Sequence, residues 1–189
     1  MAKINDNLLV RGARGNVGKQ FVYKRRGDNT HIARMPKVKK DAIPTAAQEE
    51  HRELFAAASL YATGAISNPA LKLEYQEKAG PGETAFNVAL RDYLKSPQVK
   101  KIDASKYDGT IGSILSINAR DDFRVADVKV SIHDATGFLV EEGNAVLSPL
   151  DRNKWIYTAT QENTVFAGTR ITVIASDLPG NTAMLQVTL

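Results

Sequence analysis

The sequence predicts an α+β protein in three parts: an extended N-terminal β-arm over residues 1–40, a small three-helix module over 41–96 and an antiparallel β-sandwich over 97–189. Three observations predict this division. Positive charge is concentrated in the first forty residues, apolar residues then recur with helical spacing, and β-branched residues with regular turn signals fill the second half. The 43% hydrophobic and 24% charged fractions are typical of folded domains.

The N-terminal arm is defined by its charge. Residues 1–40 contain eleven Lys and Arg and only two acidic residues, a net charge of +9, so the remainder of the chain carries −5 of the overall +4. Such a segment has too few large apolar groups to offset the entropy of ordering. We therefore expect it to become ordered by gripping another molecule.

The same arm carries signals for a β-hairpin. Residues 20–24 and 30–34 are β-prone, and the turn sequence Arg26-Gly27-Asp28-Asn29 separates them. Upstream, Gly12, Gly15 and Gly18 recur at every third position, which suits either a flexible loop or a backbone packed tightly against a neighbour. Because Gln20 stands where a phosphate-binding loop requires Ser or Thr, and a strand follows, the glycines predict no nucleotide site.

Helix signals fill residues 41–96. Thr45 and Gln48 form a capping box for a helix that we expect to end near Gly64, and Asn68 before Pro69 begins a second helix. A third helix begins near Thr84 and ends at 96–97. Its apolar residues form an amphipathic stripe: Phe86, Ala89, Leu90, Tyr93 and Leu94.

The second half predicts about six antiparallel strands. These cover residues 111–119, 125–134, 138–146, 154–160, 170–176 and 183–189, with turns at 135–137, 142–144 and 179–181. Alternation is clearest in Val128, Val130 and Ile132, and Trp155 is the predicted centre of the core. Short strands at this spacing are typical of a sandwich.

The residues that usually carry chemistry are scarce. The chain has no Cys, and His31, His51 and His133 are not at metal-ligand spacing. There is no Gly-x-Ser-x-Gly nucleophile motif. We therefore predict no enzyme, no catalytic residue, no cofactor and no metal ligand, and no small-molecule substrate is evident.

Carboxylates cluster in the predicted sandwich loops, at Asp121, Asp122, Asp134, Glu141, Glu142 and Asp177 with Asn181. Their spacing matches no EF-hand, and Asp and Asn are common in turns. We favour turn residues, with Ca²⁺ ligation as the alternative.

The N-terminus lacks the apolar region of a secretory signal, and no apolar run reaches the roughly 18 residues needed to span a bilayer. These features predict a cytoplasmic protein without a membrane span. Export by another route, or a place in a virion, remains open.

Two resemblances follow from these motifs. The N-terminal half resembles a group of uncharacterised bacterial proteins with a Gly-rich basic β-arm and a Thr-x-x-Gln helix, through Gly15, Gly18, Tyr23, Gly27, Arg34, Pro36, Thr45, Gln48, Arg52 and Phe55. The C-terminal half resembles bacterial immunoglobulin-like or transthyretin-like sandwiches, through residues 121–123, 155–160 and 175–181. The second resemblance implies a spacer or a contact surface.

These observations predict a non-enzymatic bacterial or phage structural protein that self-assembles through its basic arm, as a filament, tube or shell-like homo-oligomer with heterologous contacts. The expected contact residues are Phe21, Val22, Tyr23, Arg25, Arg26 and Arg34. Their acidic partners would be Glu49, Glu50 and Glu53, or Asp121 and Asp122. Two alternatives are a nucleic-acid-binding accessory protein with the arm on phosphates and a solvated tail that promotes solubility.

Overall fold

The structure is a computed structural model that describes residues 2–3, 7–8, 10, 12–26, 29–36 and 43–189, with the side chains of residues 2, 3 and 26 outside the description. Within these residues the chain is α+β, with three helices and three antiparallel sheets of four strands each. The first sheet comes from the N-terminus, and the other two come from the second half of the chain.

The N-terminal sheet contains β1 (Ala2–Lys3), β2 (Gly15–Val17), β3 (Phe21–Arg26) and β4 (Asn29–Arg34), in the order β1-β4-β3-β2. Strands β3 and β4 pair antiparallel from Phe21 with Arg34 to Arg26 with Asn29. That register requires a two-residue connection, as the turn signal predicts, although residues 27–28 lie outside the described part. The sequence did not predict β1 and β2, because they are too short to show alternation.

Glycine conformation explains the spacing before β3. Gly15 and Gly18 have φ angles of +105° and +57°, and no atom of the described residues beyond the chain neighbours lies within 4 Å of where a Cβ would stand at either residue. These glycines are therefore needed for the left-handed backbone conformation, and not for close packing against the described residues.

The helices are α1 (Ala46–Ser67), α2 (Pro69–Glu77) and α3 (Ala85–Leu94). The capping box is confirmed, since Gln48 N donates to Thr45 Oγ1 (3.4 Å) and Thr45 N donates to Gln48 Oε1 (3.1 Å). The prediction that α1 ends near Gly64 is wrong. The helix continues to Ser67 because its last turns bury Ala62 and Ala65, and this packing outweighs the roughly 1 kcal/mol helix penalty of glycine.

Eight strands follow: β5 (Gln98–Lys106), β6 (Ile114–Arg120), β7 (Val125–His133), β8 (Leu139–Asn144), β9 (Val146–Leu147), β10 (Lys154–Thr158), β11 (Arg170–Asp177) and β12 (Thr182–Thr188). They form two sheets, ordered β5-β6-β10-β9 and β12-β11-β7-β8. Inward residues of both sheets share one core that includes Ile117, Val130, Trp155 and Val173. The arrangement is sandwich-like, and Trp155 is buried as predicted.

Three features of the two sheets differ from the sequence prediction. Strand β5 was not predicted, because its pairing with β6 is interrupted by register shifts and its burial does not alternate. The predicted turn at 142–144 is part of β8, where Gly143 leaves room for the Tyr157 ring, which lies 3.1 Å from an added Cβ. The predicted strand 138–146 is divided because the chain changes sheets near Ala145, β8 pairing with β7 and β9 with β10.

The helices are joined to the two sheets through the loop between β6 and β7. Phe123 from that loop is buried in the helical core and stacks on Tyr75, with ring centroids 4.1 Å apart. Next to it, Arg124 forms an ion pair with Glu74 at 2.8 Å. The loop therefore contributes a core residue to the helical module.

The N-terminal region contributes little to either core. Among the described residues, buried apolar side chains begin at Ala58. Residues 46–56 of α1 are all exposed. In the described part of the N-terminal sheet, the Thr30 side chain is buried and the others are half-buried or exposed. No helix in the described part has the length and apolar character needed to cross a membrane.

We predict that Phe123→Ala lowers the free energy of unfolding by about 3–5 kcal/mol, because it removes a buried ring between two parts of the core. Denaturant unfolding measures this loss. Phe138→Ala is the matched control, because Phe138 is 71% exposed, and should change stability by no more than about 0.5 kcal/mol. Equal effects of the two substitutions would contradict the role of Phe123.

Candidate functional site

The predicted contact residues divide between the two faces of the N-terminal sheet. Phe21 is opposite Val17 and Arg34, Tyr23 is opposite Gly15 and Ile32, and Arg25 is opposite Thr30. Directly paired residues share a face. One face therefore carries four of the six predicted residues: Phe21, Tyr23, Arg25 and Arg34. Val22 is on the opposite face, and the Arg26 side chain lies outside the described part.

The face with Phe21 is apolar and exposed. Val17 is 53% exposed and Phe21 45% exposed, although they are direct neighbours. Tyr23 and Ile32 are half-buried beside them. We call Val17, Phe21, Tyr23, Ile32 and Arg34 the sheet face. It combines apolar side chains with the positive charge of Arg34, which is at the end of β4.

A second exposed surface lies on the N-terminal half of α1. Leu54 and Phe55 are exposed there, and Glu49, Glu50 and Glu53 are on the same stretch of helix. We call these five residues the helix surface, in which Glu49, Glu50, Glu53 and Leu54 span about 140° of the helix and Phe55 lies outside that arc. Its glutamates have the opposite charge to Arg34 of the sheet face, although the exposed Arg52 is on the same stretch.

The other predicted acidic partners are occupied within the chain. Asp122 accepts from Lys95 Nζ at 2.6 Å and lies 3.7 Å from Arg91 Nε. Asp121 belongs to a carboxylate cluster described below. Asp122 is thus exposed but paired with cations of its own chain and Asp121 is half-buried, whereas all three glutamates of α1 are exposed.

The remaining predicted carboxylates have structural contacts. Asp134 accepts from Thr136 N (2.8 Å) and Phe138 N (3.0 Å), and its hydrogen bonds, first those from Thr136, lower its pKa. Glu141 is buried in β8 and accepts from Thr160 N at 2.8 Å, and Glu142 pairs with Lys129. The turn interpretation therefore holds for Asp134, whereas the two glutamates are strand residues.

Three carboxylates meet where the helices contact the end of the two large sheets. Asp92 is in the last turn of α3, Asp121 follows β6 and Asp177 ends β11. One oxygen from each lies within 4.8 Å of the others. We call these residues the carboxylate cluster. Asp92 and Asp177 are buried, and Asp121 is half-buried.

Hydrogen bonds fix each member of the cluster. Tyr75 Oη donates to Asp92 Oδ2 at 2.7 Å, and since that hydroxyl has one proton, Tyr61 Oη, 2.9 Å away, donates to Tyr75. Asp177 Oδ1 accepts from Gly180 N and Asn181 N, and Asn181 Nδ2 donates to Asp177 Oδ2 (2.8 Å) and to Tyr93 O (3.1 Å). These bonds connect the turn before β12 to the end of α3.

Burial and the charges of neighbouring carboxylates raise the pKa of Asp92 and of Asp177. Desolvation, followed by the charges of Asp121 and Asp177, raises the pKa of Asp92 to about 7, although the hydrogen bond from Tyr75 opposes the shift. Burial also raises the pKa of Asp177 and that of Tyr75. Within the described residues, no Lys or Arg forms an ion pair with the cluster.

Sequence reasoning identified Asp121 and Asp177 as candidate ligands but missed Asp92. The predicted apolar stripe of α3 was displaced by one residue, because the buried face is Ala85, Val88, Ala89 and Asp92. Asp92 follows Val88 by four positions and Ala89 by three, so an acidic residue on a buried helix face was the available signal.

Comparisons with known proteins give no family. No family model and no curated protein sequence matches this chain. A search of solved structures finds CopC from Methylosinus trichosporium OB3b, at 18% identity and a TM-score of 0.37, over 50% of this chain and 90% of CopC. A likeness at this level assigns neither fold details nor function.

We predict that Asp92→Asn changes the pH dependence of stability when chelator removes divalent cations. A folded-state pKa above the unfolded value means that the contribution of Asp92 to wild-type stability is greatest below about pH 4 and is lost as pH rises through about 7. From this group alone the fall is about 4 kcal/mol. Asn cannot ionise, so the variant's stability relative to wild type should rise across this window in urea unfolding.

Asp134→Asn is a control of opposite sign. Because the pKa of Asp134 is lowered, its carboxylate stabilises the fold above its unfolded pKa, and the variant should lose stability relative to wild type as pH rises. A difference profile for Asp92→Asn that is flat with pH would contradict the description of the cluster.

Proposed function

We propose that this chain is a non-enzymatic structural protein that assembles with copies of itself through its N-terminal sheet, into a filament, tube or shell-like homo-oligomer. The observation that carries the proposal is the uncovered sheet face, on which Val17 and Phe21 are adjacent and exposed. A single-layer sheet needs a packed hydrophobic face for stability. The described residues leave Val17 and Phe21 exposed, whereas Tyr23 and Ile32 are half-buried and Thr30, further along the same face, is buried.

The proposed occupant of the sheet face is the helix surface of a second copy. The N-terminal segment carries +9 and the rest of the chain −5, so unlike charges attract when the front of one copy meets the body of another. Glu49, Glu50 and Glu53 supply that negative charge, and Leu54 and Phe55 supply apolar area for Val17 and Phe21. Charge and apolar content are therefore complementary between the two surfaces.

Contact between two different surfaces has a geometric consequence. Each copy retains a free sheet face or a free helix surface after it binds one neighbour, so the contact repeats. The product is a ring if the rotation closes and an open filament or tube if it does not. The two large sheets would then act as a spacer or as the displayed part of the assembly, in line with the immunoglobulin-like resemblance.

Particle mass after nuclease treatment tests the proposal. The full chain should form large species in light scattering and negative-stain images, and deletion of residues 1–36 should give a monomer. That deletion should fold, because both cores use residues from position 58 onward. A monomeric full chain at high concentration would overturn the proposal. Large species that disappear with nuclease would instead indicate nucleic-acid binding by the basic segment.

We predict that Val17→Ser with Phe21→Ser weakens assembly by about a hundredfold or more, because two apolar side chains lose burial worth about 1.5–3 kcal/mol each. Concentration-dependent sedimentation measures the change. Phe138→Ser is the matched control, since it removes an exposed aromatic residue elsewhere, and should assemble like wild type. Loss of assembly in both the double variant and Phe138→Ser would contradict the proposal, because removal of any exposed apolar side chain would then have the same effect.

A charge exchange identifies the occupant. Arg25→Glu with Arg34→Glu should prevent assembly, because it places negative charge opposite the glutamates of α1. Changing Glu49, Glu50 and Glu53 to Lys in the same chain should restore it. Restoration would support contact between the sheet face and the helix surface. Its failure, with each variant folded by circular dichroism, would exclude the helix surface as the partner.

A further inference from the structure

We infer that the carboxylate cluster is a binding site for an oxygen-ligated divalent cation of calcium size, which joins the helical module to the two large sheets. The residues are Asp92, Asp121 and Asp177. The site is separate from the sheet face and independent of assembly, so either proposal can fail alone.

The geometry of the three carboxylates suits one ion. Oxygens that bind Ca²⁺ lie about 2.3–2.6 Å from it, so two ligand oxygens are at most about 5 Å apart. One oxygen from each aspartate satisfies this limit, because all three lie within 4.8 Å of one another. The cluster supplies only oxygen ligands, as Ca²⁺ and Mg²⁺ both require, and Ca²⁺ accepts the less regular coordination geometry.

An unpartnered buried oxygen gives a second, separate reason for a ligand. Asp92 is 1% exposed, and its Oδ1 receives no hydrogen bond from a donor group of the described residues, whereas Oδ2 accepts from Tyr75. The carboxyl group of Asp121 is within hydrogen-bonding reach of Asp92, so a shared proton is the alternative to a cation. Asp121 Oδ1 is also buried and without a partner. A buried carboxylate oxygen is normally hydrogen-bonded, paired with a cation or bound to a metal. Here the nearby cations Arg91, Lys95 and Arg124 pair with other acids.

The supporting contacts leave those oxygens available. Each aspartate uses one or more hydrogen bonds to hold its position, from Tyr75 to Asp92, from Phe123 N to Asp121 Oδ2 and from the turn at 177–181 to Asp177. Such outer contacts orient metal ligands. Access is also present, since Asp121 lines two surface clefts, one beside Phe123 and one beside Lys95.

The ion would connect parts of the chain that are distant in sequence. Asp92 belongs to α3, whereas Asp121 follows β6 of one large sheet and Asp177 ends β11 of the other. A cation held by all three would bind the folded state alone and stabilise the contact around Phe123.

The test uses the full chain, freed of metal with chelator and desalted at constant pH. Adding Ca²⁺ should raise the Tm by about 5–10 °C at a hundredfold excess over the Kd. Tb³⁺ should give tyrosine-sensitised luminescence, because Tyr75 contacts a ligand, and Ca²⁺ should quench it by competition. Asp92→Asn and Asp121→Asn should each weaken Ca²⁺ binding about tenfold or more.

Asp122→Asn is the matched control, because Asp122 is next to Asp121 but its carboxylate pairs with Lys95. This variant should bind Ca²⁺ as wild type does. The inference is overturned if Ca²⁺ changes neither Tm nor luminescence, as a cluster that holds only a proton predicts. It is also overturned if the Ca²⁺ response survives both Asp92→Asn and Asp121→Asn.

Discussion

Apolar side chains that stay exposed among the described residues of the N-terminal sheet are the feature on which the proposed assembly depends. Apolar burial is the main favourable contribution to folding and to association, and it does not distinguish whether the covering atoms come from the same molecule. In this chain the covered surface begins with Ala58, whereas Val17, Phe21, Leu54 and Phe55 are exposed. The two described cores therefore contain no apolar residue of the N-terminal sheet, and Val17 and Phe21 of that sheet are exposed.

The body depends on a different interaction, the contact between the helices and the two large sheets. Phe123 inserts from a loop between strands into the helical core, where it stacks on Tyr75. The hydroxyl of the same tyrosine donates to Asp92. The Tyr75 side chain thus connects the apolar part of this contact with its charged part. Protonation of the carboxylate cluster, or cation binding to it, should therefore affect the contact between the helices and the two large sheets.

Much of the fold was predictable because its signals are local. The Thr45 and Gln48 capping pair and the alternation of Val128, Val130 and Ile132 each depend on neighbours in sequence, and both were correct. Other features depend on distant residues. Gly143 is a strand residue that packs closely against the Tyr157 ring, and Asp92 is significant because Asp121 and Asp177, 29 and 85 positions further along the chain, lie next to it. A short sequence window contains none of those partners.

The sheet face shows the same limit. The residue types in the basic segment indicated a contact surface, but the face on which each residue lies follows from strand register. Register places Phe21 beside Val17 and separates both from Val22. The proposed self-assembly therefore depends on one face of the N-terminal sheet and not on the charge of the whole basic segment.

The most direct test of the proposed self-assembly is hydrogen exchange of the β3 and β4 backbone amides, measured as the nuclease-treated protein is diluted. If a second copy covers the sheet face, protection of these amides should be high in concentrated protein and fall on dilution, while amides of β7 and β11 keep theirs. Protection of β3 and β4 that is the same at every concentration would contradict the account.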